Sequence, residues 1–464
     1  MKIRVKPSRI VLLVVVLLVL GLPPVFGMLT ESAVRERAES LRDEGRLLVT
    51  IESFDRGWFS SRALLTVEPN PAGDRARQAL IGFVEPMQVV VDFSHGPLSV
   101  RDGLFFGFSK LHARPVADDD GTLAAPFDFD FRAQSTFGGS VNFAGEIMPF
   151  DSGGEDFALS FSGARFHGTV AGEHVQAVVD ADAVQYTRGV ATYSLLGLRT
   201  TADTERMSAY VMPGTMTLGI DRFSMDVGRA ERSTLFDVRG LAVDSSTALD
   251  DARERLSGAL RIELERLQLL AGDTEITGGE LQAAADRLDV AALDAYSEAA
   301  ARAAERGTPL ADEVEPAVLR LLAEGPSATI DSLRFNVDGE SFDANAQAAA
   351  DPAALPPAGA ADIRSAALWT AVLDGRAEVT IAKPLAEQIA IAIARSQIGG
   401  RIMDGESMPG QSIEALARVQ AGIAIGMLSA QGLLEDIGEA YRIALQLEDG
   451  RLTINGQTLP FDLL

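Results

Sequence analysis

The sequence contains no cysteine. Disulfides, thiolate nucleophiles, thiolate zinc sites and iron–sulfur clusters are therefore excluded. Lysine is almost as scarce, confined to Lys2, Lys6, Lys110 and Lys383, so arginine supplies most of the positive charge. The four histidines are His95, His112, His167 and His174. His167 and His174 stand seven apart in a strand-like region. On an unbroken strand they face opposite sides, and without a turn between them they cannot share a metal. Asp118-Asp119-Asp120-Gly121 lacks the alternating acids and distal Glu of a calcium loop and reads as a solvated turn. No Walker loop, Gly-x-Ser-x-Gly elbow or His-Glu-x-x-His pair occurs. No catalytic residue, metal ligand or cofactor site is assigned, and no cofactor is expected.

Positive charge is short overall. The formal net charge is −25. Setting aside Lys2, Arg4, Lys6 and Arg9 leaves about −29 on the remainder. Such a surface repels nucleic acid and anionic lipid headgroups, so nucleic acid is excluded as a partner. Apolar residues make up 47% and charged ones 23%, the balance of a folded protein, and 464 residues exceed one ordinary core.

What the chain does have is Ile10 to Leu29, twenty residues without a charge behind a basic, acid-free start. At about 1.5 Å per residue a helix there matches the roughly 30 Å of a bilayer's hydrocarbon core. The positive flank predicts a cytoplasmic segment 1–9, a transmembrane anchor 10–29 and an exported remainder. A cleaved signal peptide is the alternative, although Val25-Phe26-Gly27 meets the small-residue requirement only loosely.

Thr30 is a plausible N-cap for a short charged helix, read with its following linker as a stalk over 30–46. From Leu47 the pattern alternates with period two, and Leu47–Glu52 and Ala63–Glu68 form a hairpin. Strand-like runs recur to Val243, separated by turn signals such as Gly138-Gly139 and Pro213-Gly214. In Phe127-Asp-Phe-Asp-Phe131 aromatics and acids take opposite faces, as in an antiparallel sheet with one dry and one wet side. Helical patterns follow at Asp289–Arg306, Leu310–Ala323, Pro384–Ile398 and Ser412–Leu428. Asp449-Gly450 and Asn455-Gly456 predict closing hairpins. Val419 to Leu434 is uncharged but short and polar for a span, and is read as a buried or groove-lining helix.

The expected fold is α+β: an N-terminal transmembrane helix, then a long curved antiparallel sheet with amphipathic helices in the C-terminal half. The division expected is a β-rich domain 47–285 and an α+β domain 286–464.

One short stretch looks deliberate. Arg56, Trp58 and Phe59 lie on the first hairpin connection and form the candidate contact with a partner or a bilayer surface. The expectation is that Trp58 and Phe59 fold back over the end of the sheet; if exposed, they become the partner site. Phe54-Asp-Arg-Gly-Trp-Phe-Ser-Ser61, Ser94-His-Gly-Pro-Leu98 and Gly450-Arg-Leu-Thr-Ile-Asn-Gly456, behind a basic apolar start, resemble the YdgA-like family of bacterial envelope proteins. The resemblance implies an inner-membrane anchor and a periplasmic domain, and implies no activity. Phe54 stands where that family often has Tyr, so a hydroxyl there is not essential. The expected role is non-catalytic binding of an apolar ligand, a lipid, or of an envelope protein along a sheet groove, with the membrane as partner through the anchor. Self-association into a homo-oligomer stays open. The rival reading is a hydrolase acting on envelope polymers through paired carboxylates.

Overall fold

The computed structural model describes residues 28–39 (29, 33 and 37 excepted), 47–69, 86–117 (97 and 100–104 excepted), 125, 127–154, 157–208, 210–228, 234–269, 274–357, 362–402 and 410–458. The expected anchor at 10–29, save Met28, and the Asp118–Gly121 turn lie outside the described residues. The chain divides into two compact units, 1–203 and 204–464.

The first unit is an antiparallel sheet. Its strands are β1 (Leu47–Arg56), β2 (Ser60–Pro69), β3 (Met87–His95), a small ribbon of β4 (Leu98–Ser99) and β5 (Phe105–Phe106), then β6 (Ser109–Pro115), β7 (Phe129–Ser135), β8 (Ser140–Ile147), β9 (Phe150–Gly153), β10 (Phe157–Phe161), β11 (Ala164–Ala171) and β12 (His174–Arg188). β1, β2, β3, β6, β7 and β8 pair in succession, followed by β11, β12, β10 and β9. β3 shows why it is a strand: Met87, Val89, Val91, Phe93 and His95 are buried while the residues between them are not. That period of two places one face on a core shared with Ala63 and Ala113. The described residues of 28–39 are helical, and Val34 among them packs on this core.

β13 (Ala191–Glu205) crosses the division. The second unit continues with β14 (Gly214–Val227), β15 (Thr234–Leu249), β16 (Arg255–Leu269) and β17 (Thr274–Asp289). Helices α1 (Val290–Arg306) and α2 (Leu310–Ala323) follow, then β18 (Ser327–Val337), β19 (Glu340–Ala350), α3 (Ala366–Val372) and β20 (Leu373–Ala382). Helices α4 (Lys383–Ile402) and α5 (Gly410–Ala430) precede β21 (Glu435–Asp436), β22 (Ala440–Glu448), β23 (Arg451–Ile454) and β24 (Gln457–Thr458). From β14 to β20 each strand pairs antiparallel with the next, and β20 pairs with β22. Local chemistry sets the breaks. Asp289 caps α1 by accepting from the Ala292 amide at 2.7 Å, and Gly307 ends it at φ 65°. The Asp449-Gly450 and Asn455-Gly456 pairs both take positive φ, as the primed hairpin turns require.

The α+β expectation is corrected. Strands take 58% of the described residues and helices 24%, and the sheets carry both units. Among the described residues there is no N-terminal transmembrane helix, and the helix among them that is long and apolar enough to cross a membrane is Ile413–Ala430. The physical reason for the larger β content is that Arg255–Leu269, Thr274–Asp289 and Glu340–Ala350, rich in helix-forming residues, pair along their whole length. Ladder hydrogen bonds and one-sided burial override weak intrinsic preference.

Candidate functional site

Two places concentrate the features that could serve a function. The first is the β1–β2 connection. Gly57 donates its amide to the Ser60 carbonyl at 2.8 Å, and a Cβ on Gly57 would stand 2.7 Å from that same oxygen. Only glycine fits so tight a turn. Trp58 and Phe59 project from it 58% and 47% exposed. The expectation that they cover the sheet is therefore corrected: both rings stand exposed at the connection. Arg56 sits at the base of the turn, 3.6 Å from Glu31 of the N-terminal helical residues. The structure thus brings Arg56, Trp58 and Phe59 to one exposed tip.

Beneath the tip lies a pair that the sequence reading missed. The Ser61 hydroxyl and His95 Nε2 are 2.8 Å apart, with Ser61 4% and His95 1% exposed. His95 Nδ1 is buried with no hydrogen-bond partner. Burial lowers the His95 pKa, because a charged imidazolium would lose its hydration there. The His95 amide donates to the Phe59 carbonyl at 2.8 Å, and the Gly96 amide to that of Phe108 at 2.7 Å. A Cβ on Gly96 would overlap the Gly107 carbonyl oxygen at 1.6 Å. A serine–histidine pair sealed this well cannot meet a substrate. It fixes the junction of β2, β3 and β6 under the aromatic tip.

The other histidines do not converge. A turn at Gly172-Glu173 separates His167 on β11 from His174 on β12, so the chain reverses and the two share a face after all. They remain four residues apart in register, roughly 13 Å. His174 Nε2 instead meets Asp203 at 3.1 Å. Among the described residues no three His, Asp or Glu side chains stand close enough to hold a metal.

The second place is the dry face of the second unit. Across β14 to β20 and β22 the register aligns Leu218, Val243, Ile262, Leu281, Leu333, Ala344, Val379 and Ile443 in one row. The next row down the face carries Leu260, Ala283, Ile330, Ala346, Ala377 and Leu445, and the one after it Gly258, Ala285, Ala328, Ala348, Gly375 and Leu447. No charged side chain interrupts these rows. Asn345, Gln347, Arg376 and Glu378 fall on the opposite, wet face. Eight strands spaced about 4.8 Å apart make this face roughly 34 Å wide.

Helices close its two ends but not its middle. At one end Leu322 of α2 and Leu368 and Val372 of α3 bury Ala350. At the other, Leu385 of α4 packs on Ile381, Phe342 and Tyr441. Between them Ala344, Ala346 and Ala348 are only half-buried, and Ala328 is exposed. Alanine and glycine form the floor, with Ile330 on one side and Leu445, Leu447 and Leu452 on the other, around a trough of about 340 Å³. That is the size at which small-molecule sites begin. A Cβ on Gly375 would meet the Gln347 carbonyl oxygen at 2.8 Å and Ala348 Cβ at 3.4 Å, so the floor there admits no side chain.

The fold and this face define a class: an antiparallel β protein with an open, one-sided apolar trough on its second unit. The chain belongs to the bacterial family of unknown function DUF945, which matches it over residues 6–462. No curated protein and no solved structure matches it.

Proposed function

We propose that this bacterial protein works at the cell envelope and binds the acyl part of a lipid in the trough of its second unit. The observation that carries the reading is the dry face itself, apolar across eight strands in one row and six in the next two, and left uncovered between two helical ends. A sheet face of this composition is ordinarily buried against a second layer. An uncovered, contiguous apolar face marks a site for an apolar partner. The trough has no carboxylate on its dry face, which favours binding over the rival reading of hydrolysis by paired acids.

Location follows from the sequence. Lys2, Arg4, Lys6 and Arg9 before the uncharged stretch 10–29 support attachment at the inner membrane with the remainder in the periplasm, as the YdgA-like resemblance implies. Alkaline phosphatase fused after Leu47 is expected to be active, and an inactive fusion reverses this orientation. The test of binding is native mass spectrometry of the full chain extracted in mild detergent. The wild-type chain is expected to carry lipid adducts. Ala346→Phe, which fills the floor, is expected to lose them, while Asn345→Phe on the wet face keeps them. A wild-type chain free of lipid, or equal loading of all three, refutes the reading.

A further inference from the structure

The expectation of a buried or groove-lining helix over Val419–Leu434 is corrected. Helix α5 packs on α4 through Ile413 and Ala417 and turns Val419, Ile423 and Met427 to solvent as one stripe. The exposed tip of the β1–β2 connection is smaller, and the chain itself shows what lies beside it. Trp58 and Phe59 stand there 58% and 47% exposed, with Arg56 at the base. Arg56 reaches back to Glu31, 3.6 Å away among the N-terminal helical residues. Glu31 also meets Arg35 at 3.0 Å, one turn further along, and so ties the helix to the end of β1.

Direction follows from packing. Val34 lies on the same core as Phe54 and Leu65, and Ala38 beyond it is buried. The helical residues therefore run from the tip towards the body of the first unit. β1 runs the other way, beginning at Leu47 and reaching the tip at Arg56. Met28, three residues before Glu31 and on the same helical side, is 56% exposed. It is also the described residue of the uncharged stretch 10–29. The tip and the outgoing end of that stretch thus share one end of the first unit.

We infer that Trp58 and Phe59 enter the headgroup–acyl boundary of the bilayer to which residues 10–29 attach the chain, with Arg56 at the level of the phosphates. The inference rests on the attachment argued under the proposed function and not on the trough. Size disfavours a protein partner. A large aromatic side chain offers about 150–250 Å², so two partly exposed rings fall well below the roughly 800 Å² that each partner gives to a standard interface. The chemistry fits the boundary instead. The amphipathic ring of tryptophan settles at headgroup level, and an arginine stem lies along apolar surface while its charged head stays wet. Charge selects the lipid: the acidic remainder of the chain repels anionic headgroups, so zwitterionic lipid is the surface met.

The chain has two tryptophans, Trp58 and Trp369, which allows a test with the native residue. The full chain, as wild type and as Trp58→Phe, would be placed in phosphatidylcholine vesicles carrying nitroxide either on the headgroup or near the end of the acyl chain. Subtracting the emission of the variant from that of wild type isolates Trp58. Its emission is expected to be quenched by the headgroup label and much less by the deep one. Quenching by neither label, in chains that float with the vesicles, overturns the inference. Stronger quenching by the deep label does so too, because it puts the ring in the hydrocarbon. The sequence has no cysteine, so disulfide formation between two Phe59→Cys chains is specific. If it occurs without quenching, the tip belongs to a second copy and the inference is overturned. A chain that fails to float refutes the attachment and this contact with it, and so the two failures are told apart.

Discussion

Ser61 and His95 offer the sharpest test of how the first unit is held together. Replacing Ser61 by Ala removes the partner that His95 Nε2 has among the described residues, in a site where Nδ1 has none among them. Leaving a buried polar group unsatisfied costs about 1–3 kcal/mol, equivalent to roughly 5- to 150-fold in an opening equilibrium. Replacing both partners by apolar groups of similar shape, Ser61→Ala with His95→Phe, should cost much less than Ser61→Ala alone, because no orphaned polar atom remains. The assay is hydrogen exchange of the full chain read by mass spectrometry, at the His95 amide bonded to Phe59 and the Gly96 amide bonded to Phe108. A pH series adds an independent check. The pKa of His95 is lowered in the folded chain, so below the ordinary imidazole value of about 6.5 the unfolded chain takes up a proton that the folded one resists. The stability that depends on neutral His95 is complete above that value and drains as pH falls. The double variant should lack this contribution. A Ser61→Ala chain that exchanges like wild type, or a double variant as sensitive to acid as wild type, refutes the account.

Three further outcomes follow from burial. Trp58→Ala is expected to shift stability by no more than about 0.5 kcal/mol in thermal melts, since the ring is 58% exposed; a larger loss would restore the packed reading of the tip. Leu385→Ala, emptying a side chain 3% exposed between α4 and the sheet, should cost about 2–5 kcal/mol in urea unfolding followed by Trp369 fluorescence in a Trp58→Phe background. Asp237, 5% exposed, accepts from Arg222 at 2.9 Å and from Arg239 at 3.0 Å. Burial pulls its carboxyl pKa up, but the two guanidiniums outweigh that and hold it below the usual range. Its contribution is therefore present above about pH 4 and lost as pH falls further. Asp237→Asn should cost roughly 1–3 kcal/mol at neutral pH, reduced from a fully buried pair because both guanidiniums are partly solvated, and acid titration of the unfolding midpoint measures it.

The first unit was largely legible. Its hairpin at Leu47–Glu68 and the buried row through Met87 and Phe93 follow from β-branched and aromatic residues alternating with polar ones, a signal that needs no tertiary context. The closing hairpins were equally plain, because Asp-Gly and Asn-Gly are chosen for a backbone conformation that few other residues adopt. The Ser61–His95 contact was not legible. Thirty-four positions separate the two residues, and only the pairing of β2 with β3 brings them together. The exposure of Trp58 depends on where its ring points from the β1–β2 connection, which composition alone does not disclose.

A sheet groove was expected, but its place on Glu340–Ala350 escaped the sequence for the reason that the trough exists. Glu340 to Ala350 does alternate, with Phe342, Ala344, Ala346, Ala348 and Ala350 on the dry side and Ser341, Asp343, Asn345 and Gln347 on the wet side. Alanine, however, is the best helix former and a poor strand former, so the pattern carries no β signal of its own. Larger side chains at these positions would have announced a strand and also filled the face. Small ones conceal the strand, and they leave between Ile330 and the leucines of β22 and β23 a depression that the ends of α3 and α4 bound but do not cover. Residues that pack poorly in their own sheet are retained at little benefit to stability, since each alanine buries far less apolar area than a leucine would. That deficit is reasonable where the missing volume belongs to a bound molecule, and it is why Ala346→Phe should stabilise the empty sheet or leave it unchanged while abolishing what the face holds.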